Sequence, residues 1–127
     1  MLSKDIKNLI NNWNVLFVDD EKFVVDTMRS ILPMLFKNSH FAYNGIDGVN
    51  ICKENKIDLL ITDLSMPKMN GIDMIKQIKS FHKDIKVICI SGHNEQEYLK
   101  EAKELNASFI IKPISSAALY NAINEII

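Results

Sequence analysis

Four polar positions in this chain of 127 residues stand just past the ends of four separate apolar runs: the acid pair Asp19-Asp20 after Val15–Val18, Asp63 after Leu59–Ile61, Ser91 after Val87–Ile90, and Lys112 after Phe109–Ile111. Three carboxylates drawn to one place repel one another unless a cation sits among them. With room for water and a backbone carbonyl, they suit a hard, oxygen-seeking divalent ion. Mg²⁺ fits, because it uses one or two carboxylates and keeps several waters. Such a site serves phosphoryl chemistry: a Lys holds one transferred phosphoryl oxygen and a Ser hydroxyl donates to another. A carboxylate beside the metal is itself a competent nucleophile and gives an aspartyl phosphate. Each feature alone is ordinary, since an acid pair after a strand is most often a helix cap and Lys112-Pro113 is a turn. Only their joint placement points to chemistry.

That placement needs a fold that gathers four strand ends at one edge. A parallel sheet does so, because its strands all point one way and open α/β folds put their sites outside the carboxyl ends. The apolar periodicity supports it. Val15–Val18 is a short continuous run, as expected of a strand covered on both faces. Val24, Thr27, Met28, Ile31 and Leu35 then recur at helical steps, with Asp20 or Glu21 near the helix start and Pro33 ending or bending it. Phe41–Tyr43 predicts a second strand, Asn44-Gly45 a turn, and Ile46, Val49 and Ile51 a helix through Asn55. Leu59–Thr62 is a third strand, and a loop over 65–71 leads into a helix carrying Ile72, Met74, Ile75, Ile78 and Phe81. Ile85–Ile90 is a fourth strand, Glu95–Leu105 a polar helix with only Tyr98, Leu99, Ala102 and Leu105 to bury, and Ala107–Ile111 a fifth strand. That polar helix is expected to dock least firmly. Ser115 looks like the cap of a last helix bearing Ala118, Leu119, Ala122, Ile123 and Ile126. Strands alternating with helices give a doubly wound α/β sandwich. Residues 1–14 stand apart as an N-terminal extension, with Leu2, Ile6, Leu9, Ile10 and Trp13 at helical spacing behind Ser3. They predict a short leading helix, either packed on the domain of residues 15–127 or linking it to something upstream.

Composition excludes several classes of function. Lys and Arg number 15 against 16 acids, for a formal net charge of -1, and no basic stripe would draw the chain onto nucleic acid or a membrane surface. The apolar runs are strand-length, and the first thirteen residues mix Lys, Asp and Asn where a signal peptide needs an apolar centre. These features predict a soluble, cytoplasmic protein. Cys52 and Cys89 lack metal or redox spacing and are expected to be buried thiols. His40, His82 and His93 form no nucleophile–base or metal pattern.

Over Val15 to Ile127 the chain resembles the receiver domain of two-component response regulators. The resemblance rests on Phe17-Val18-Asp19-Asp20, the stretch Asp63-Leu64-Ser65-Met66-Pro67-Lys68-Met69-Asn70-Gly71, Ile90-Ser91-Gly92, and Phe109-Ile110-Ile111-Lys112-Pro113. It implies a flavodoxin-like five-stranded parallel sheet in the order 2-1-3-4-5 with helices on both faces. It also implies that Asp63 is the phosphoacceptor, that Asp20 and Asp63 bind Mg²⁺, that Asp19 acts on the metal through water, and that the main-chain carbonyl of Ser65 is a further ligand. Lys112 would pair with Asp63 and then with the phosphoryl group. Ser91 would be the switch hydroxyl, Phe109 the aromatic that turns inward as Ser91 moves, and the Lys112-Pro113 peptide would be cis. Asn70 departs from the acid common before the glycine, which bears on the turn more than on the chemistry. Ser65 and His93 flank the site at positions that tune the phosphoryl lifetime; His93 either orients water or is simply solvated, the latter favoured.

The resemblance implies a switch that catalyses its own aspartyl phosphorylation and dephosphorylation and is not a conventional enzyme. Its donor would be a histidine kinase or a histidine phosphotransfer protein. Its target would be a downstream protein or a fused output domain, reached through the polar helix, the fifth strand and the last helix, with a phosphorylation-dependent homodimer as one outcome. A dehalogenase-like phosphatase would want an acid two residues after the nucleophile, where Ser65 stands. A flavin carrier would want a Ser, Thr and Gly-rich first loop, where Asp19-Asp20-Glu21 would repel phosphate. A degenerate receiver used as a scaffold is disfavoured because all five key positions, Asp19, Asp20, Asp63, Ser91 and Lys112, are filled. Stand-alone action and excision from a longer regulator both stay open.

Overall fold

The computed structural model describes residues 2–92 and 96–127. His93 and the expected helix start at Glu95 lie outside the described residues. Five parallel strands, β1 (Asn14–Val18), β2 (Asn38–Ala42), β3 (Leu59–Asp63), β4 (Lys86–Ser91) and β5 (Ser108–Ile111), form one sheet in the order β2-β1-β3-β4-β5. Register fixes the functional edge. Val18 lies opposite Ala42 and Thr62, Asp63 opposite Ile90, and Ser91 opposite Ile111, so the chain leaves β1, β3, β4 and β5 at a common level.

The period-two alternation of a strand explains why these runs are apolar throughout. Val15 and Phe17 of β1, Leu59 and Ile61 of β3, and Ile88 and Ile90 of β4 join one core cluster. Leu16 and Val18, Leu60, and Val87 and Cys89 join the other. The first face is covered by α1 (Lys4–Ile10), α2 (Lys22–Ile31) and α6 (Ser116–Ile126), the second by α3 (Gly45–Glu54), α4 (Gly71–Phe81) and α5 (Gln96–Glu104). Both cysteines are free and buried, and burial pushes each thiol up to about 12.

The leading helix packs on the domain. Ser3 caps it, its Oγ accepting the Ile6 N–H at 3.2 Å, and Leu2 and Ile10 enter the same cluster as Val15 and Phe17. Pro33 ends α2 at Ile31 and opens a short 3₁₀ turn, Leu32–Met34. Two local expectations need correction. Strand β2 starts at Asn38, earlier than the apolar Phe41 suggested, because an edge strand tolerates the polar run Asn38-Ser39-His40. Asn44 is a helix cap and not part of a turn: its Oδ1 accepts the Asp47 N–H at 2.9 Å, and Gly45 is already helical. A Cβ on Gly45 would meet Met69 at 3.0 Å, so the small residue lets α3 approach the loop that follows β3. Asn70 acts likewise as the cap of α4, accepting the Asp73 N–H at 2.9 Å.

Candidate functional site

Asp63 is the last residue of β3, and its carboxylate is almost fully buried at the floor of the carboxyl edge. Its Oδ2 accepts from Lys112 Nζ at 3.2 Å and its Oδ1 from the Ser65 N–H at 3.4 Å. Lys112 is placed by β5, and its own N–H donates to the Ser91 carbonyl at 2.9 Å, which fixes where the lysine leaves the sheet. The following Lys112-Pro113 peptide is cis. The loop after Asp63 is held tightly as well. The Leu64 N–H donates to the Ile90 carbonyl at 3.2 Å and the Gly71 N–H to the Leu64 carbonyl at 2.8 Å. A side chain at Gly71 would overlap the Asp63 carbonyl oxygen and lie 2.9 Å from Leu64 Cα, so a glycine there permits the turn. Within the loop the Met69 N–H reaches back to the Pro67 carbonyl at 2.8 Å around Lys68, whose φ of 69° lies in the left-handed region. That closes a strained three-residue turn.

Carboxylate oxygens of Asp19, Asp20 and Asp63 lie within 4.8 Å of one another. Asp19 is buried and Asp20 exposed. The Asp19 Oδ1 accepts the Glu21 N–H at 2.9 Å, so this acid, rather than Asp20 or Glu21, orders the entry to α2. Its Oδ2 is buried with no hydrogen-bond partner among the described residues. Burial is the main reason the Asp19 carboxyl is raised to about 6. The Glu21 N–H and Lys112 act against that rise, while the charges of Asp63 and Asp20 add to it. A buried carboxylate oxygen lacking a donor, beside two more carboxylates, is a donor set that a hard cation satisfies. The all-oxygen cluster thus fits the divalent ion expected of these residues.

Ser91 ends β4 fully buried, and among the described residues its Oγ also lacks a hydrogen-bond partner. Phe109 is half-buried in β5 and packs against the α3–α5 side of the core. Ser65 is exposed and Gly92 half-buried beside the cleft. One feature had no signal in the sequence. An apolar groove of about 490 Å³ opens beside Asp19 and Lys112 and runs between α2 and α6, floored by Met28, Ile90 and Leu119 and bordered by Phe23. Its walls come from segments nearly a hundred residues apart. Phe23, at 82% exposure, stands nearly free in solvent.

Residues 15–124 match the family model described as the response regulator receiver domain. The chain is 32% identical over 114 residues to the chemotaxis protein CheY of Halobacterium salinarum, covering 89% of this chain and 95% of that protein. It is 28% identical over 111 residues to the transcriptional regulatory protein HptR of Staphylococcus aureus, covering 84% of this chain but 43% of HptR. A solved structure that pairs the Saccharomyces cerevisiae histidine phosphotransfer signaling protein Ypd1 with the receiver domain of its downstream response regulator Ssk1 matches with a TM-score of 0.80 and 27% identity, over 92% of this chain and 90% of the other.

Proposed function

The chain belongs to the response regulator receiver domain family, and we propose that it performs the family's phosphorelay switching through Asp63 as the phosphoacceptor. The observation that carries this is the buried Asp63 carboxylate, 3.2 Å from Lys112 and clustered with Asp19 and Asp20. As the donor's N–P bond breaks, an Asp63 oxygen bonds to phosphorus, and the released imidazole takes a proton from solvent. Lys112 then pairs with a phosphoryl oxygen. The residues that would hold Mg²⁺ are Asp20 and Asp63 directly, Asp19 through water, and the main-chain carbonyl of Ser65; when bound it supplies neutralisation of the charge on the transferring group.

Ser91 is the switch hydroxyl in this reading, and its unpartnered Oγ supports the role, because a phosphoryl oxygen would give it the bond it lacks. Phe109, already half-buried, turns inward as Ser91 moves. The two-state surface is then α5, β5 and α6. Residues 15–127 form the receiver unit and residues 1–14 an extension carrying α1. The switch catalyses its own phosphorylation and later hydrolysis, without turnover of a separate substrate.

The donor is a phosphohistidine on a kinase or phosphotransfer protein, as the pairing of Ssk1 with Ypd1 suggests. The groove beside Lys112 supports an approach over α2 and α6. The target is a downstream protein or a fused output domain; HptR extends well beyond the matched segment, whereas CheY is matched over 95% of its length. A homodimer through α5, β5 and α6 is a further outcome of phosphorylation. A cytoplasmic setting belongs to the same reading; no described helix is long and apolar enough to cross a membrane.

Intact mass after incubation with acetyl phosphate and Mg²⁺ tests the proposal. A single added phosphoryl group that disappears in Asp63→Asn and with chelator is expected. An unlabelled, folded wild type beside a labelled control receiver would make Asp63 a structural acid and the chain a scaffold.

A further inference from the structure

At the amino edge of the sheet, opposite Asp63, four lysines line a cavity of about 770 Å³: Lys79, Lys83, Lys86 and Lys103. Among the described residues two acids face them, Asp84 and Glu125, and Glu125 Oε2 already accepts the Ser108 hydroxyl at 2.5 Å. Among the described residues none of the four lysines forms an ion pair. Lys79 Nζ has a single long hydrogen bond, to the Ile85 carbonyl at 3.5 Å. Lys79 and Lys103 have a local reason to be here, since they stand in the last turns of α4 and α5 and offset the negative carbonyl ends of those helices. Lys83 and Lys86 lie beyond the helices, in the connecting loop and at the start of β4, and helix electrostatics does not account for them. In a chain of net charge -1, four lysines against two acids make a local excess of positive charge. Lys79 is held below its ordinary value by burial; the pull of Asp84 opposes this and outweighs the push of Lys86.

We propose that this cavity binds a small oligophosphate anion, with Lys83, Lys86 and Lys79 donating charge-assisted hydrogen bonds to adjacent phosphates. The size falls in the range of small-molecule sites. Several ammonium groups facing one hollow match a ligand with several linked charges better than a monoanion. No aromatic side chain lines the cavity, so there is no platform for a nucleobase, and the phosphate chain is what is read, whether free or carried by a nucleotide. The site shares no residue with the Asp63 edge.

Calorimetric titration of the metal-free chain with tripolyphosphate tests this, with orthophosphate and ATP as parallel ligands. Saturable one-to-one binding is expected, at least about tenfold tighter for tripolyphosphate than for orthophosphate. Lys83→Gln/Lys86→Gln should weaken it at least about tenfold at an unchanged thermal midpoint, with Lys83→Gln alone intermediate. ATP binding as tightly as tripolyphosphate would assign recognition to the phosphates alone, and tighter ATP binding would identify a nucleotide as the source. Absence of saturable binding, full affinity in the double variant, or loss of binding in Lys112→Gln would overturn the proposal, the last by moving the anion to the Asp63 edge.

Discussion

Helices α4 and α5 are neighbours on one face of the sheet, yet they are held to it very unequally. Helix α4 buries Gly71, Ile72, Met74, Ile75 and Ile78 and begins at the loop that shapes the surroundings of Asp63. Of the described side chains in α5, only that of Ala102 is buried; Tyr98 and Leu99 are half-exposed. A residue that must hold a reacting group in place belongs on the firmly packed element, whereas an element that must shift gains by having little apolar surface to lose. Stability in this fold is therefore distributed unevenly around the sheet, with rigidity near Asp63 and looseness along α5.

The sharpest way to break that contrast is to truncate matching positions. Ile75→Ala in α4 should cost about 2–5 kcal/mol, while Leu99→Ala in α5 should cost under about 1 kcal/mol, measured by urea unfolding. Comparable losses would mean that α5 is docked as firmly as α4. Hydrogen exchange gives the same comparison without mutation, with α5 amides expected to exchange well before those of α4.

The rigid side also carries a pH signature. Unfolded, Asp19 ionises near 3.8, and folded it keeps its proton up to about 6. Because the folded value is the higher one, the stability contributed by the protonated acid is fully present below 3.8 and is lost as pH rises through 6. The shift corresponds to on the order of 2–3 kcal/mol. Metal-free wild type should therefore lose stability across that window relative to Asp19→Asn, and Mg²⁺ should restore part of it above pH 6. Identical pH profiles for the two proteins would show that the buried carboxyl carries no such strain.

Smaller effects refine the picture around Asp63. Gly71→Ala should destabilise by about 1–3 kcal/mol, because the new methyl must displace the Asp63 carbonyl or Leu64. It should also slow acetyl phosphate labelling, which intact mass would follow. Removing the α4 cap with Asn70→Ala should cost about 1 kcal/mol in urea unfolding while leaving the labelled residue unchanged. If Asn70→Ala abolished labelling, the residue would have a part in the chemistry and not only in the helix start.

Most of the sheet was legible because a strand buried on both faces must be apolar at every position, as Val15–Val18 and Leu59–Ile61 are. The edge strand β2 was legible only in part, since solvent takes over much of the work that apolar packing does in the centre. Asn44 is ambiguous in the sequence because an Asn before a Gly serves a turn and a helix cap equally well, and only the Asp47 N–H decides. The chemical positions stood out because each closes a recognisable run. The groove between α2 and α6 and the lysine-lined cavity left no such mark, being assembled from Phe23 to Leu119 and from Lys79 to Glu125 by folding alone.

The order of strands and helices, the apolar faces, and the identities of Asp19, Asp20, Asp63, Ser91 and Lys112 are determined by the sequence itself, because periodicity and residue type are local properties. Only the tertiary structure decided that Lys112 reaches Asp63, that an oxygen of Asp19 and the hydroxyl of Ser91 are buried without partners among the described residues, and that α5 is lightly held. Distance, desolvation and packing depend on what the rest of the chain places around a residue, and no stretch of sequence contains its own surroundings.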